Sequence, residues 1–189
     1  MSTTPNFSDE ELLSRLKDKA TAETAFGDLV TQYSQMLYAV IRRIVYRHED
    51  ADDVLQNTFI KAWRNIHNFK GNSKLSTWLY TIATNEALTH LRKERSNRKL
   101  PLTTEDYDLT ELLTGDPYFD GDQAEAEFLA AIDQLPEKQK LTFELRYFDD
   151  LPYKEISEIT GTSEGALKAN YHHAVKKLKS FMGIDEEEK

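Results

Sequence analysis

Apolar residues return at helical spacing through two stretches of this 189-residue chain, Glu23 to Asn97 and Asp122 to Phe181, and no run alternates as a strand requires. That pattern predicts an all-α protein in two parts. Between them the charge changes abruptly. Residues 1 to 99 carry 15 Lys and Arg against 12 Asp and Glu; residues 100 to 133 carry none against 10; the remainder carries 9 against 11. The net charge of -9 is therefore concentrated in the middle and does not argue against nucleic-acid binding by the flanking parts. With Pro101, Gly115-Asp116-Pro117 and Gly121-Asp122, residues 100 to 121 read as an acidic flexible linker between helical domains at 1 to 99 and 122 to 189.

The bulk properties exclude several classes. No apolar run approaches the roughly 20 residues that span a bilayer, so no direct membrane insertion is expected. Met1 to Ser8 lacks the basic start and apolar centre of a secretory signal, which predicts a cytoplasmic location. The absence of cysteine agrees and removes disulfides, thiolate metal sites and cysteine catalysis. Carboxylates fall on solvated faces or in the linker, without a histidine cluster, a glycine-rich phosphate loop or an activated nucleophile, so neither an enzyme nor a cofactor is expected.

In the first part, Phe26, Val30, Tyr33, Leu37, Ile41, Ile44 and Val45 mark a long helix with one buried face. A second helix is expected to start near Asp50, with Asp52 and Asp53 in its first turn, where the helix dipole favours negative charge. Val54, Leu55, Phe59, Ala62, Trp63 and Ile66 form its apolar stripe. On its other side Asp53, Gln56, Asn57 and Ile60 fall at i, i+3, i+4 and i+7, a polar face with one aliphatic residue that suits either a partner helix or plain solvent. Asp50 to Lys61 is no calcium loop, because it lacks glycine at position six and has lysine at position twelve.

A third helix is predicted after Gly71, capped by Ser73 or Ser76 and burying Leu75, Trp78, Leu79, Ile82 and Ala83. Thr81, Asn85 and Arg92 project within one sector away from that stripe. Arg92, Lys93, Arg95, Arg98 and Lys99 place five cations in eight residues, a density that suits phosphate and also compensates a helix C-terminus.

In the second part, Leu135-Pro136-Glu137 and Asp149-Asp150-Leu151-Pro152 break the helical pattern. A short helix over Tyr153 to Thr160, the turn Gly161-Thr162 and a Ser163 cap opening a final helix are the layout of a helix-turn-helix. Leu167, Tyr171, Ala174, Leu178 and Phe181 orient that last helix inward. Ser163, Glu164, Lys168, Ala169, His172, His173 and Lys176 are then the candidates for DNA contact, with Gly165 and Ala169 permitting close approach. Glu164 suits a cytosine amino group and equally a first-turn dipole partner. The adjacent histidines diverge by roughly 100° on a helix, so they make no metal site.

Together these segments resemble the sigma-70 family of bacterial transcription initiation factors, specifically the compact extracytoplasmic-function class, from about Glu23 to Met182. The run from Asp50 to Trp63 is similar to the region-2 helix that such factors place on the clamp helices of the polymerase largest subunit. The resemblance implies that Asp52, Asp53, Gln56, Asn57 and Ile60 meet core polymerase. Ser76 to Asn85 looks like the helix facing the minus-10 element; Lys70, Asn72, Ser73, Lys74, Thr81 and Asn85 would capture an unpaired base while Arg92 and Lys93 hold the backbone. Trp78 belongs on this reading to the core. Leu135-Pro136, Leu151 to Ile159 and Ser163 to Lys168 resemble region 4, a winged-helix-like helix-turn-helix that reads the minus-35 element and sits on the flap.

No region 3 fits between the two parts, and the resemblance implies that the acidic linker threads the polymerase near its active-site cleft. An anti-sigma factor is the further partner expected. Two positions depart from the family pattern: Asn57 stands where many relatives carry an acid, and Tyr171-His172-His173 where relatives often carry arginines. The rival reading is a stand-alone helix-turn-helix regulator that binds a palindrome without polymerase. The tail Asp185 to Lys189 reads as a solubilising end.

Overall fold

The computed structural model describes residues 7 to 97, 109 to 119 and 121 to 184, with side chains of 95 to 97 excepted. Arg95, Arg98 and Lys99 of the basic cluster, part of the acidic segment and the tail from Asp185 thus lie outside the described side chains. Among the described residues there are nine α-helices, one short 3-10 helix and no strand. The second helical part therefore carries no wing within them. The chain divides into two compact units, the first reaching Lys93 and the second starting at Glu94.

The first unit holds α1 (Asp9–Lys17), α2 (Ala22–Val45), α3 (His48–Asn65), a 3-10 turn at Ile66–Asn68 and most of α4 (Leu75–Asn97). Helix α1 lies before the first periodic stretch and was not anticipated. Its nine residues are mostly charged, but Leu12 and Leu16, one turn apart, are fully buried against α2. The buried face of α2 is Ala25, Leu29, Tyr33, Leu37, Val40, Ile41 and Ile44. Phe26 and Val30, expected in that stripe, sit one position round and are only half-buried. Helix α2 ends where Tyr46 turns to φ +64°, its amide donating to the Arg42 carbonyl, and α3 starts at His48, before Asp50.

In α3 the inward residues are Ala51, Val54, Thr58, Phe59 and Ala62, and the Thr58 hydroxyl donates to the Val54 carbonyl at 2.8 Å. Trp63 departs from the expected stripe and stands 37% exposed at the helix edge. Helix α4 buries Leu75, Thr77, Leu79, Tyr80, Ala83, Thr84 and Ala87. Trp78 and Ile82, placed in its core stripe by periodicity, are half-buried instead. Ser76 falls inside the first turn and is no cap; the Leu75 amide donates to Asp9 at 2.7 Å.

The second unit contains α5 (Leu109–Thr114), α6 (Gln123–Asp133), α7 (Glu137–Tyr147), α8 (Tyr153–Thr160) and α9 (Glu164–Phe181). Part of the segment read as solvated linker is thus a helix: Leu109 and Leu113, at i and i+4, are buried and α5 packs on α6. Composition counted the acids there and missed the two leucines between them. The main core gathers Ala131, Ile132, Leu135, Phe143, Ala174 and Leu178, with Phe128, Leu129, Phe148, Tyr171 and Val175 packed against it. Lys140 reaches Asp133 at 2.8 Å, an ion pair with both side chains largely buried that joins α7 to α6.

Candidate functional site

On α3, Asp52, Asp53, Gln56, Asn57 and Ile60 are all exposed, because Val54, Thr58 and Ala62 take the inward direction of the same helix. Asp52 lies 3.3 Å from the Nε2 of His48, one turn before it, and the other ring nitrogen of His48 is hydrogen-bonded to the Tyr38 hydroxyl. Ile60 is 41% exposed, unusual for a large aliphatic side chain. Beside it an apolar groove of about 640 Å³ opens between α2 and α3, floored by Phe26, Val30, Phe59 and Trp63 and flanked by Glu23 and Arg64. Phe26 holds it together, edge-on to Phe59 at 6.3 Å and to Trp63 at 4.8 Å between ring centroids.

Of the five predicted residues, Gln56 and Ile60 line this groove; Asp52, Asp53 and Asn57 do not. Sequence reasoning missed its α2 half. The available signal was the pair Phe26 and Val30, two apolar residues one turn apart and offset from the buried stripe of α2.

Helix α4 presents a second surface. Asn85 is exposed and faces a cleft of about 360 Å³ bounded by Lys61, Asn65, Asn68, Trp78, Ile82 and Glu86. Trp78 rests on Phe69 with centroids 5.2 Å apart, while part of its ring surface remains open to the cleft. Lys61 pairs with Glu86 at one side. An aromatic and aliphatic floor with three amide side chains around it offers stacking area together with donors and acceptors. Thr81 is placed differently: its hydroxyl donates to the Thr77 carbonyl at 2.9 Å, and it does not line the cleft.

The loop from Lys70 to Lys74 runs outside that cleft, with Lys70, Asn72 and Lys74 exposed and Ser73 half-buried. Gly71 has φ +74°, a backbone region that favours glycine. Arg92 and Lys93 are exposed further along α4. The structure therefore brings Asn85 and Trp78 together and leaves Thr81 and the loop as separate features.

In the second unit, the left-handed Gly161, at φ +66°, ends α8, and its amide donates to the Ser157 carbonyl. Ser163 then caps α9, accepting the Ala166 amide at 3.4 Å. Burial of Leu167, Ala174 and Leu178 turns Ser163, Glu164, Gly165, Lys168, Ala169, His172, His173 and Lys176 outward on α9, all of them exposed. Phe181 departs from the inward set and is 46% exposed.

Tyr171 is half-buried, stacked on Phe143 at 5.6 Å, and Phe143 stacks in turn on Tyr147 at 5.0 Å. Burial pushes the Tyr171 hydroxyl above its ordinary range, with Tyr153 and Tyr147 adding to the shift and Arg146 opposing it. The Arg146 guanidinium donates to the Leu151 carbonyl at 3.0 Å and pairs with Asp150 at 3.2 Å, fixing the turn before α8. Among the described residues no group of three or more His, Asp or Glu is placed to hold a metal ion, and no helix is long and apolar enough to cross a membrane.

Comparison with known proteins assigns both units. Residues 29–97 match the model of Sigma-70 region 2, and residues 125–178 match that of Sigma-70, region 4. The chain is 32% identical to the RNA polymerase sigma-H factor of Pseudomonas aeruginosa, over 88% of this chain and 89% of that one. It is likewise 32% identical to the ECF RNA polymerase sigma factor SigW of Bacillus subtilis, over 83% and 88% of the two chains. Among solved structures, the sigma factor RpoE bound to the anti-sigma factor NepR from Bartonella quintana superposes with a TM-score of 0.66 at 24% identity, over 85% of this chain and 98% of that one. CnrH in complex with the cytosolic domain of CnrY gives 0.69 at 22% identity, over 94% and 99%. At those identities the two structures establish the shared fold.

Proposed function

The chain belongs to the extracytoplasmic-function class of the sigma-70 family, and from that premise we propose which of its surfaces carries each part of promoter-specific initiation. As an alternative sigma factor it binds RNA polymerase and directs it to promoters. The exposed face of α3, with Asp52, Asp53, Gln56, Asn57 and Ile60, is the docking surface for the clamp helices of core polymerase. The observation that carries this assignment is Ile60, an exposed aliphatic side chain at the rim of an apolar groove within an otherwise polar helix face.

Helix α4 and the loop before it take the opened minus-10 strand. Asn85, set beside the partly open Trp78 ring, supplies hydrogen bonds to a base that has left the duplex, and unstacking that base costs a few kcal/mol. Lys70, Asn72, Ser73, Lys74, Thr81, Arg92 and Lys93 flank it, the cations meeting phosphate. The outward face of α9 reads the minus-35 duplex, and the second unit sits on the polymerase flap. An anti-sigma factor is the regulatory partner, a reading supported by the sigma factor RpoE of Bartonella quintana, whose structure was solved in complex with the anti-sigma factor NepR. The whole cycle runs in the cytoplasm, where polymerase and promoter are, and includes no chemical step by this chain.

Reconstitution with core polymerase tests the assignment. Ile60→Glu is expected to weaken holoenzyme assembly at least tenfold. Asn85→Ala is expected to leave assembly intact and to change which minus-10 sequences support run-off transcription. A loss of core binding in Asn85→Ala would remove α4 from the promoter side, and promoter binding without any dependence on polymerase would favour the stand-alone regulator.

A further inference from the structure

Asp9 is placed unlike a surface acid. It is the first residue of α1, and the capping of α1 is done by Ser8, whose hydroxyl accepts the Glu11 amide. The Asp9 carboxylate instead reaches out of its own helix. One oxygen accepts the Tyr33 hydroxyl on α2 at 3.0 Å; the other accepts the backbone amide of Leu75 at 2.7 Å, 66 residues away. Leu75 is the first residue of α4, so an N–H that the helix leaves unpaired is satisfied by an anion at the end where the dipole favours one. Hydrogen bonds to a charged acceptor are shorter and stronger than neutral ones, in keeping with 2.7 Å.

Helix α1 is itself held in place. Phe7 and Gln32 exchange two hydrogen bonds, at 3.0 and 3.1 Å, Arg15 pairs with Asp28 at 2.6 Å, and the Arg15 guanidinium lies 4.7 Å from the centre of the Phe7 ring. The carboxylate is thus a fixed point. It ties down the C-terminal end of the Lys70 to Lys74 loop, while buried Phe69, its ring tilted against that of Trp78, ties down the other. Between these anchors the loop residues remain largely exposed.

We infer that Asp9 is a positioning residue for minus-10 capture: by holding the first turn of α4 it pre-sets the loop and the Asn85 face in the arrangement that receives the unpaired strand. This rests on the minus-10 assignment above. Ordering a loop on binding costs affinity, and a loop already fixed at both ends avoids much of that cost.

The test uses holoenzyme formed with core polymerase and a fluorescent single-stranded oligonucleotide carrying the non-template minus-10 element of the protein's own mapped promoter. Asp9→Ala is expected to lower oligonucleotide affinity on the order of tenfold, the equivalent of one charge-assisted hydrogen bond. Asp9→Asn keeps the shape and one acceptor, and should fall between Ala and the natural residue. Core affinity should stay within about twofold for both, a separation that general destabilisation would not produce.

Parallel loss of core affinity, or unchanged oligonucleotide affinity in Asp9→Asn and Asp9→Ala, overturns the inference. If Asp9→Ala does not fold, the isosteric Asp9→Asn decides alone. Asn85→Ala separates the two levels. Weakened binding there with Asp9 variants unaffected removes only the role of Asp9; unaffected binding there removes the minus-10 assignment and the inference with it.

Discussion

The ammonium of Lys168, on the outward face of α9, lies 5.8 Å from the centre of the Tyr153 ring at the start of α8, and the Arg146 guanidinium lies 5.6 Å from the same ring. Both are within the range of a cation–π contact. One ring therefore links the two helices of the helix-turn-helix and keeps a cation beside the proposed duplex surface. Replacing Lys168 by Met removes the charge and preserves most of the stem. Binding to minus-35 duplex is expected to weaken for all sequences alike, and the slope of log affinity against log salt should fall by about 1. Fluorescence anisotropy across a potassium chloride series measures both quantities; a change confined to one base position would mean direct readout instead.

Gly161 supplies the left-handed residue of the turn, and a Cβ added there would meet open space. Gly161→Ala therefore costs backbone strain without a clash. A loss of about 1 kcal/mol is expected, read as faster amide hydrogen exchange in α8 and α9 with α2 and α3 unchanged.

Leu178 and Phe181 are both apolar residues of the last turn region of α9, but Leu178 is buried against Ile132 and Phe143 in the core cluster while Phe181 faces outward. Leu178→Ala should destabilise the second unit by about 2–5 kcal/mol through the lost contacts and the cavity left behind. Phe181→Ala should stay within about 0.5 kcal/mol, as surface substitutions do. Thermal unfolding of the two variants, compared side by side, checks the contrast.

Tyr33 makes alkaline stability a readout of its buried setting, to which the Asp9 contact adds. Its hydroxyl is pushed up from 10.0 to about 12, chiefly by burial, then by the charge of Asp9 and the hydrogen bond to it. A group whose folded value is raised contributes stability that is complete below the unfolded value and is lost as pH rises through the folded one. The contribution should therefore be intact below pH 10 and decline between 10 and about 12. Tyr33→Phe is expected to flatten that part of the stability profile, measured by denaturant unfolding at stepped pH.

Much of the second unit was legible because its signals are local. A glycine at the end of α8 and a serine opening α9 are read from neighbours in the chain, and the structure places both caps where the residue types predicted. Helix α1 was not legible in the same way. Nine residues, most of them charged, do not hold a helix in water by themselves, and burial of Leu12 and Leu16 against α2 supplies what propensity lacks. The offset in α2 has a related cause. Phe26 and Val30 share helical spacing with the core stripe, but α3 covers the neighbouring face and leaves those two to line a groove.

Period, caps and charge order thus determined by themselves the helical class, the two-part organisation, the helix-turn-helix and the polar faces of α3, α4 and α9, since each depends on residues a few positions apart. The α2–α3 groove, the Trp78 cleft and the Asp9 anchor were decided only by tertiary structure. Each requires surfaces from separate helices to meet. A carboxylate that finds its amide 66 residues later leaves no spacing in the chain from which that partnership could be read.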